Sequence, residues 1–328
     1  MDYALITYLI LGFGVVMYVV LDGFDLGLGI LLPFARDQDA RDRMIASVAP
    51  VWDGNETWLV LGGATLFAAF PVAYGILLPA WYLPIIAMLG ALVLRGVSFE
   101  YRPEAHQKLP WSVFFSTGST AAAFCQGAML GSYVEGIPVT GQTFAGGPWD
   151  WLTPFSVMTG VAVVAGYGLL GATWLILKTD GAVQAWSYRA ARPLTMAMLG
   201  FVVVVSVWTP FAQPAVATRW FSFPNNVVLA PVPALTALCG LLLWRGLRRK
   251  QELAPFVCCV CIFLLALAGF AYSLWPYMVP RSLTVWDAAA PESTQRFILV
   301  GVLALIPLVL AYTAHTYRLF RGKTPAKG

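Results

Sequence analysis

Long runs of apolar residues without charge dominate the chain, and they predict a bundle of membrane-crossing helices. Such a helix needs about 20 apolar residues. At about 1.5 Å per residue the longest run would form one helix of roughly 57 Å, so we expect it to divide into two spans at a tight turn near Pro71–Gly75. The charge-free runs cover residues 3–21, 57–94, 109–134, 151–177, 193–218, 220–244, 253–280 and 297–317.

These runs predict an all-α polytopic membrane protein with nine transmembrane helices, arranged as two four-helix bundles plus one peripheral helix. We assign residues 1–150 to the first bundle and residues 151–281 to the second. Residues 282–328 would form the last loop, the ninth helix and a basic cytoplasmic tail. No predicted loop is long enough to house a soluble domain or a nucleotide site.

Composition agrees with a membrane protein. Hydrophobic residues make up 59% of the chain and charged residues 11%, whereas a soluble domain has roughly half and a quarter. The net charge of +4 needs no nucleic-acid partner to explain it. Five cysteines fall inside apolar runs without CxxC pairing, and we interpret them as small buried residues rather than metal ligands.

Basic residues are shared unequally between alternate loops, which predicts the orientation. Short cytoplasmic loops carry an excess of Lys and Arg. Of the 20 basic residues, 17 lie after the first, third, fifth and seventh predicted helices or in the C-terminal tail. The other side would hold only Arg219, Arg281 and Arg296. We therefore expect the N-terminus outside and the C-terminus in the cytoplasm.

A pair of carboxylates at the end of the first apolar run is the first candidate for function. Carboxylates inside a membrane are costly, and they usually serve proton transfer, ion binding or ion pairing. Asp22 and Asp25 lie in the sequence Leu-Asp-Gly-Phe-Asp-Leu-Gly-Leu-Gly and would share one face of a helix. Gly23 and Gly27 would let another helix approach closely. The alternative is that both aspartates only cap or pair at the helix end.

A second acidic pair, Asp53 and Glu56, lies where the next helix is expected to begin, in Pro-Val-Trp-Asp-Gly-Asn-Glu-Thr-Trp. Capping and the helix dipole also favour Asp at this position, so spacing alone does not decide its role. Both acidic pairs fall at the same predicted membrane depth, which favours a shared proton site. Trp52 and Asn55 would support it.

A third motif, Arg-Gly-Val-Ser-Phe-Glu-Tyr-Arg, closes the third predicted helix on the same side. Arg95 can neutralise a neighbouring carboxylate, and Glu100 can receive protons from bulk water. Taken alone, this motif is typical of a positive-inside anchor. His106 and His315 do not build a bis-histidine haem site. The residues thus predict a proton-handling subunit without its own cofactor or metal, with candidates Asp22, Asp25, Asp53, Glu56 and Glu100.

In this order, the three motifs resemble subunit II of the cytochrome bd-type quinol oxidases. Residues 282–289, Ser-Leu-Thr-Val-Trp-Asp-Ala-Ala, are similar to that family's last-loop motif. From about 110 to 275 the similarity is one of hydropathy. The compact segment Thr209–Asn226 resembles the short, cyanide-insensitive branch.

The resemblance implies a bacterial inner-membrane complex in which a larger subunit I carries two b-type haems and haem d, oxidises quinol and reduces dioxygen to water. This chain would bind no haem, would hold subunit I, and would line a cytoplasmic proton path in which Asp53 matches the family's proton-path aspartate. The resemblance leaves open a small single-span subunit and a structural quinone among the membrane lipids.

Two other functions are compatible with intramembrane carboxylates. A proton-coupled secondary transporter would place interrupted helices at corresponding positions in both halves, whereas the acidic motifs here lie in the first half. A purely structural scaffold is the third possibility.

Overall fold

The computed structural model describes residues 1–324, and almost all of the ordered structure is helical. Lys327 of the basic tail lies outside the described residues. Two small antiparallel hairpins, β1–β2 and β3–β4, interrupt the helices. The elements in chain order are α1 (Tyr3–Leu31), a 3₁₀ turn (Leu32–Phe34), α2 (Gln38–Ala46), α3 (Trp52–Ala69), α4 (Pro71–Ala80), α5 (Tyr82–Tyr101), α6 (Leu109–Glu135), β1 (Val139–Thr140), β2 (Thr143–Phe144), α7 (Pro154–Lys178), α8 (Gly181–Ala212), α9 (Pro214–Phe221), α10 (Asn225–Leu229), α11 (Pro231–Arg248), α12 (Leu253–Leu274), β3 (Tyr277–Val279), β4 (Leu283–Thr284), α13 (Val285–Ala288) and α14 (Glu292–Leu319).

Within the described residues, seven helical segments are long and apolar enough to cross a membrane. They are α1, α5, α7, α8, α10 continued by α11, α12 and α14. The helices α3 and α6, with 18 and 27 residues, are not among the seven because polar residues and glycines lower their hydropathy. The count of nine spans therefore stays a prediction.

The apolar run 57–94 is broken twice. The first break falls at Phe70, between α3 and α4, beside the predicted turn. The second falls at Trp81, between α4 and α5. The expected single tight turn is wrong, because the residues between the breaks form a short helix of their own. Its buried face packs against Met278 and Val279 of β3.

A side chain of α14 and the backbone just before that helix satisfy the backbone at the first break. The carbonyl oxygen of Ala69 accepts hydrogen bonds from Gln295 Nε2 at 2.7 Å and from the backbone nitrogen of Ala290 at 2.8 Å. Thr7 Oγ1 in turn donates to Gln295 Oε1 at 2.6 Å. A buried carbonyl left unpaired would be costly, so these bonds stabilise the broken helix and join α1, α3 and α14.

Glycines bring α1 and α7 into backbone contact. A Cβ atom on Gly27 would overlap the carbonyl oxygen of Tyr167, and one on Gly171 would overlap the backbone of Gly27. At Gly23 the ring of Tyr167 occupies the space, 2.8 Å from where a Cβ would stand. The close helix approach predicted for Gly23 and Gly27 is confirmed. It places the second half of α1 in the centre of the molecule.

Ion pairs stabilise the loops at the end of the molecule where α1 ends and α3 begins. We call this end the basic end. Asp42 on α2 pairs with Arg102 at 2.8 Å and with Lys108 at 2.9 Å. Burial raises the pKa of the Asp42 carboxyl, but the hydrogen bonds from Lys108 and Arg102 outweigh burial and lower it below its ordinary value. Arg43 on α2 pairs with Asp180 at 2.5 Å.

The chain after α14 docks at the basic end as well. The Lys178 ammonium donates to the carbonyl oxygens of Phe320 and, at 3.1 Å, Gly322. The backbone nitrogen of Thr324 donates to the Lys178 carbonyl at 2.8 Å. Lys323 pairs with Glu252 at 2.6 Å. The tail is thereby attached to the ends of α7 and α12.

Candidate functional site

Charged side chains from α1, α3 and α5 converge inside the bundle near the basic end. We call this group the acidic cluster, consisting of Asp22, Asp25, Asn55, Glu56 and Arg95. Both aspartates and the arginine are 0% exposed, and Asn55 is 1% exposed. Because α1 continues to Leu31, the aspartates lie on one face within a helix and do not cap its end.

Arg95 forms ion pairs with two carboxylates on different helices. Its Nη1 lies 2.6 Å from Asp22 Oδ1, and its Nη2 lies 3.0 Å from Glu56 Oε2. The planar guanidinium suits this task, since its separate N–H groups can address two acceptors at once. Arg95 is therefore an internal counter-ion that links α5 to α1 and α3, and not an anchor at the membrane surface.

Asn55 connects the second aspartate to the last helix. Its Nδ2 donates to Asp25 Oδ2 at 2.8 Å and to the carbonyl oxygen of Leu21 at 3.3 Å. The hydroxyl of Tyr317 on α14 donates to Asn55 Oδ1 at 2.9 Å. Within the described residues, Asp25 has no ion-pair partner, so the acidic cluster holds three carboxyl groups and one guanidinium, which pairs with two of them. A set of neighbouring carboxyl groups of this kind can take up a proton as well as release one.

The structure does not bring Asp53 and Glu100 into the acidic cluster. Both are exposed in the chain by itself. Asp53 stands two residues before the buried Asn55, and residues at that spacing face different sides of a helix. Trp52 supports α3 from outside the cluster by stacking on Phe99, with ring centroids 4.6 Å apart.

Further polar side chains adjoin the acidic cluster that sequence reasoning missed. Gln126 Nε2 donates to the Tyr18 oxygen at 2.8 Å, and the Tyr167 hydroxyl donates to Gln126 Oε1 at 2.9 Å. Two features of the sequence could have indicated these contacts. Gln126 is a lone glutamine in an apolar run, and Tyr18 lies four residues before Asp22. For Tyr317 the sequence offers none, because its partner is 262 residues away.

The histidines take no part in the acidic cluster. His106 is exposed in the loop between α5 and α6, and His315 is exposed on α14. In residues 1–324 no group of three or more His, Cys, Asp or Glu side chains is arranged to hold a metal ion. The five cysteines in this part of the chain are free thiols.

Comparison with known proteins matches residues 3–320 to the family described as cytochrome bd terminal oxidase subunit II. The chain belongs to this family. The match confirms the family predicted from the three motifs, and it makes the chain a subunit of a membrane oxidoreductase. It does not favour the transporter alternative.

Relatives resemble the chain over nearly its full length. It is 29% identical to cytochrome bd-I ubiquinol oxidase subunit 2 of Escherichia coli strain K12, across 95% of this chain and 92% of that protein. It is 28% identical to cytochrome bd ubiquinol oxidase subunit 2 of Bacillus subtilis strain 168, across 99% and 96%. A chain of the bd oxidase from Geobacillus thermodenitrificans has the same fold, with a TM-score of 0.80, 16% identity and coverage of 98% and 99%.

Proposed function

We propose that the acidic cluster conducts protons from the cytoplasm toward an oxygen-reducing site in the partner subunit of a bacterial quinol oxidase. The observation that carries this proposal is the ion pairing of Asp22 and Glu56 with the single guanidinium of Arg95, beside a third buried carboxyl group, Asp25, which accepts a hydrogen bond from Asn55. Side chains kept only for packing would not require three carboxyl groups inside a membrane bundle. Quinol as the electron donor follows the ubiquinol oxidases to which the chain is similar.

The proposed route begins at the basic end and leads inward. Asp53 and Glu100, both exposed in the chain by itself, would collect protons at the surface. Glu56, whose side chain is 25% exposed, would connect that surface to the buried Asp22 and Asp25. The exposed face of α3 around Asp53 would be covered by the partner subunit, which would bury Asp53 in the complex.

The proposal completes the topology as nine spans in two four-helix bundles and a last helix, with α3 and α6 crossing beside the seven apolar helices. The basic end then faces the cytoplasm, and the N-terminus faces the periplasm of the inner membrane. Ion pairs and tail contacts of Lys and Arg residues at this end support that orientation. It allows cytoplasmic protons to reach the cluster.

The haems are assigned to the partner. Subunit I would carry two b-type haems and haem d, and this chain would supply no haem ligand. A small single-span subunit and a structural quinone stay open, since no residue described above selects them. Contacts with subunit I and membrane lipids would cover the apolar faces of the bundle.

The Asp25→Asn variant of the assembled oxidase tests the proton route. Asparagine keeps the shape of the side chain but cannot exchange a proton, so we expect intact haem content and strongly lowered quinol-driven oxygen consumption. Asp180→Asn is the matched control, since Asp180 is 58% exposed and pairs only with Arg43 in the described chain. Turnover like that of the control would remove Asp25 from the route and leave the cluster a structural role.

A further inference from the structure

The connection between α8 and α11, residues 213–230, contains one charged side chain, Arg219, and no other occurs in residues 193–244. We call this connection the α8–α11 segment. Two membrane spans need about 40 apolar residues, and the run 193–244 is longer than that. The surplus forms the short helices α9 and α10. They lie at the end of the molecule opposite the basic end, where Gln213 Nε2 donates to the carbonyl oxygen of Glu135, the last residue of α6, at 2.5 Å.

Polar contacts hold one side of the α8–α11 segment against the end of α12. The Arg219 guanidinium donates to the carbonyl oxygens of Trp275 and, at 3.1 Å, Tyr272. Both lie at the C-terminal end of α12, where backbone carbonyls have no partner within the helix. Two side-chain hydrogen bonds also join the segment to α12, from Trp220 Nε1 to Ser273 Oγ at 2.7 Å and from the Tyr272 hydroxyl to Asn225 Oδ1 at 2.8 Å. The single cation of the segment is therefore directed toward the protein.

The other side of the segment presents large aromatic side chains to the surroundings. Phe221 and Phe223 are 72% and 82% exposed. They follow a row of exposed apolar residues on α8, spaced one helical turn apart, which consists of Val203, Val207 and Phe211. On a helix that crosses a membrane, such a row contacts lipid. The aromatic patch therefore begins at the lipid-facing surface of α8.

We infer that the α8–α11 segment lies in the plane of the membrane and inserts Phe221 and Phe223 among the phospholipids. Aromatic side chains are favoured where lipid meets water, and an in-plane helix buries one apolar face in that layer. Because Arg219 pairs with carbonyl groups of α12, no charge of the segment has to enter the lipid. The segment would act as a membrane anchor fixed to α12. The inference involves no residue of the acidic cluster, so it holds whether or not the cluster conducts protons.

Photochemical labelling tests the inference on the assembled oxidase in nanodiscs of phosphatidylethanolamine and phosphatidylglycerol. The side chain of p-benzoylphenylalanine reacts with C–H bonds on irradiation and is not consumed by water. In Phe223→p-benzoylphenylalanine, and in the same substitution of Phe221, we expect the labelled peptide to gain the mass of a phospholipid. Gln142 is the matched control, since it is exposed in the turn of the β1–β2 hairpin that follows α6, and its substitution should give no such gain.

Two results of the labelling would overturn the inference. One is attachment of Phe221 and Phe223 positions to another polypeptide, which would show that a protein partner covers the segment. The other is the absence of a lipid adduct at both positions when the same substitution of Val203, 61% exposed on α8, gains one.

A charge placed at Phe223 gives a second reading without a photoreactive side chain. Phe223→Asp should lower the midpoint of thermal unfolding in nanodiscs, because a carboxylate is costly in lipid. Phe223→Trp should keep the midpoint of the wild type, since Trp is favoured in the interfacial layer. Gln142→Asp is the control and should also leave the midpoint unchanged. A wild-type midpoint in Phe223→Asp would place this side chain in water and contradict the insertion.

Discussion

At the scale of single residues, the acidic cluster depends on one cation between two carboxylates. Arg95 is fully buried and contacts Asp22 and Glu56 directly. Burying such charges costs free energy that only good geometry offsets. This explains why the residue is arginine, because a lysine ammonium could not address both carboxylates in the same planar arrangement.

Arg95→Leu should therefore prevent normal assembly. Removing one partner of a buried ion pair costs about 3–5 kcal/mol, because the other charge is left uncompensated. We expect a low yield of haem-containing complex, measured after purification, and a lower midpoint of thermal unfolding. The double variant Arg95→Leu with Asp22→Asn should recover part of both values. If the double variant is as unstable as Arg95→Leu, the ion pair is not the cause of the instability.

Asp53 differs from the buried acids because it is exposed in the chain by itself. In the proposed route it exchanges protons, so Asp53→Asn should retain assembly and haem content but sharply lower quinol-driven oxygen consumption. Asp53→Glu should retain more activity, since it keeps an exchangeable proton. Oxygen uptake and haem spectra of the purified complexes give both readings. Near-normal turnover of a fully haem-loaded Asp53→Asn complex would show that Asp53 takes no part in proton transfer and only stabilises the start of α3.

At the scale of elements, the contact of α1 with α7 sets the position of the acidic cluster. Gly27→Ala would place a methyl group against the Tyr167 carbonyl. Overpacking of this kind typically costs about 1–3 kcal/mol, and it would push α1 away from α7. We expect lower thermal stability and less assembled complex, whereas Gly12→Ala, which meets no atom within 4 Å, should behave like the wild type. Equal stability of the two variants would contradict the close contact.

The ion pairs of α2 make a pH-dependent contribution to stability. The pKa of Asp42 is lowered in the folded chain, so its contribution is fully present above the unfolded value and is lost as pH falls through the lower, folded value. Asp42→Asn should lower the unfolding midpoint at neutral pH by a small amount, corresponding to at most about 1 kcal/mol. The difference from the wild type should shrink under acid conditions below the ordinary aspartate value of 3.8. A pH-independent difference would exclude this origin.

Sequence patterns predicted the elements better than their breaks and contacts. Periodicity and hydropathy locate α1 and its glycine face, because these depend on neighbours along the chain. They do not locate α4, since the length of the apolar run predicts one break near Pro71 but not the second break at Trp81. The contact of Tyr317 with Asn55 and the exposure of Asp53 depend on packing between distant elements. Those features become visible only in three dimensions.

At the scale of the whole molecule, the chain joins a polar interior near one end to an otherwise apolar exterior. Exposed large hydrophobic residues cover its helices, among them Val60, Phe67, Leu89 and Val93 on α3 and α5. In water such a surface would aggregate, whereas in a bilayer it contacts lipid or another apolar subunit. The proposed partner therefore needs only shape-complementary helices on this surface, and the acidic cluster lies close behind it.

The proposed assignment of all haems to subunit I leads to a prediction for the two histidines of this chain. Because His106 and His315 are exposed and belong to no group of potential metal ligands in the described part of the chain, neither is expected to ligate haem iron. The optical spectrum of an assembled complex carrying both His106→Ala and His315→Ala should therefore retain the absorption of haem d and of the b-type haems at wild-type intensity. An axial ligand cannot be removed without changing the spectrum of its iron. A lost or shifted band would assign a haem to this chain and would require a different distribution of cofactors between the two subunits.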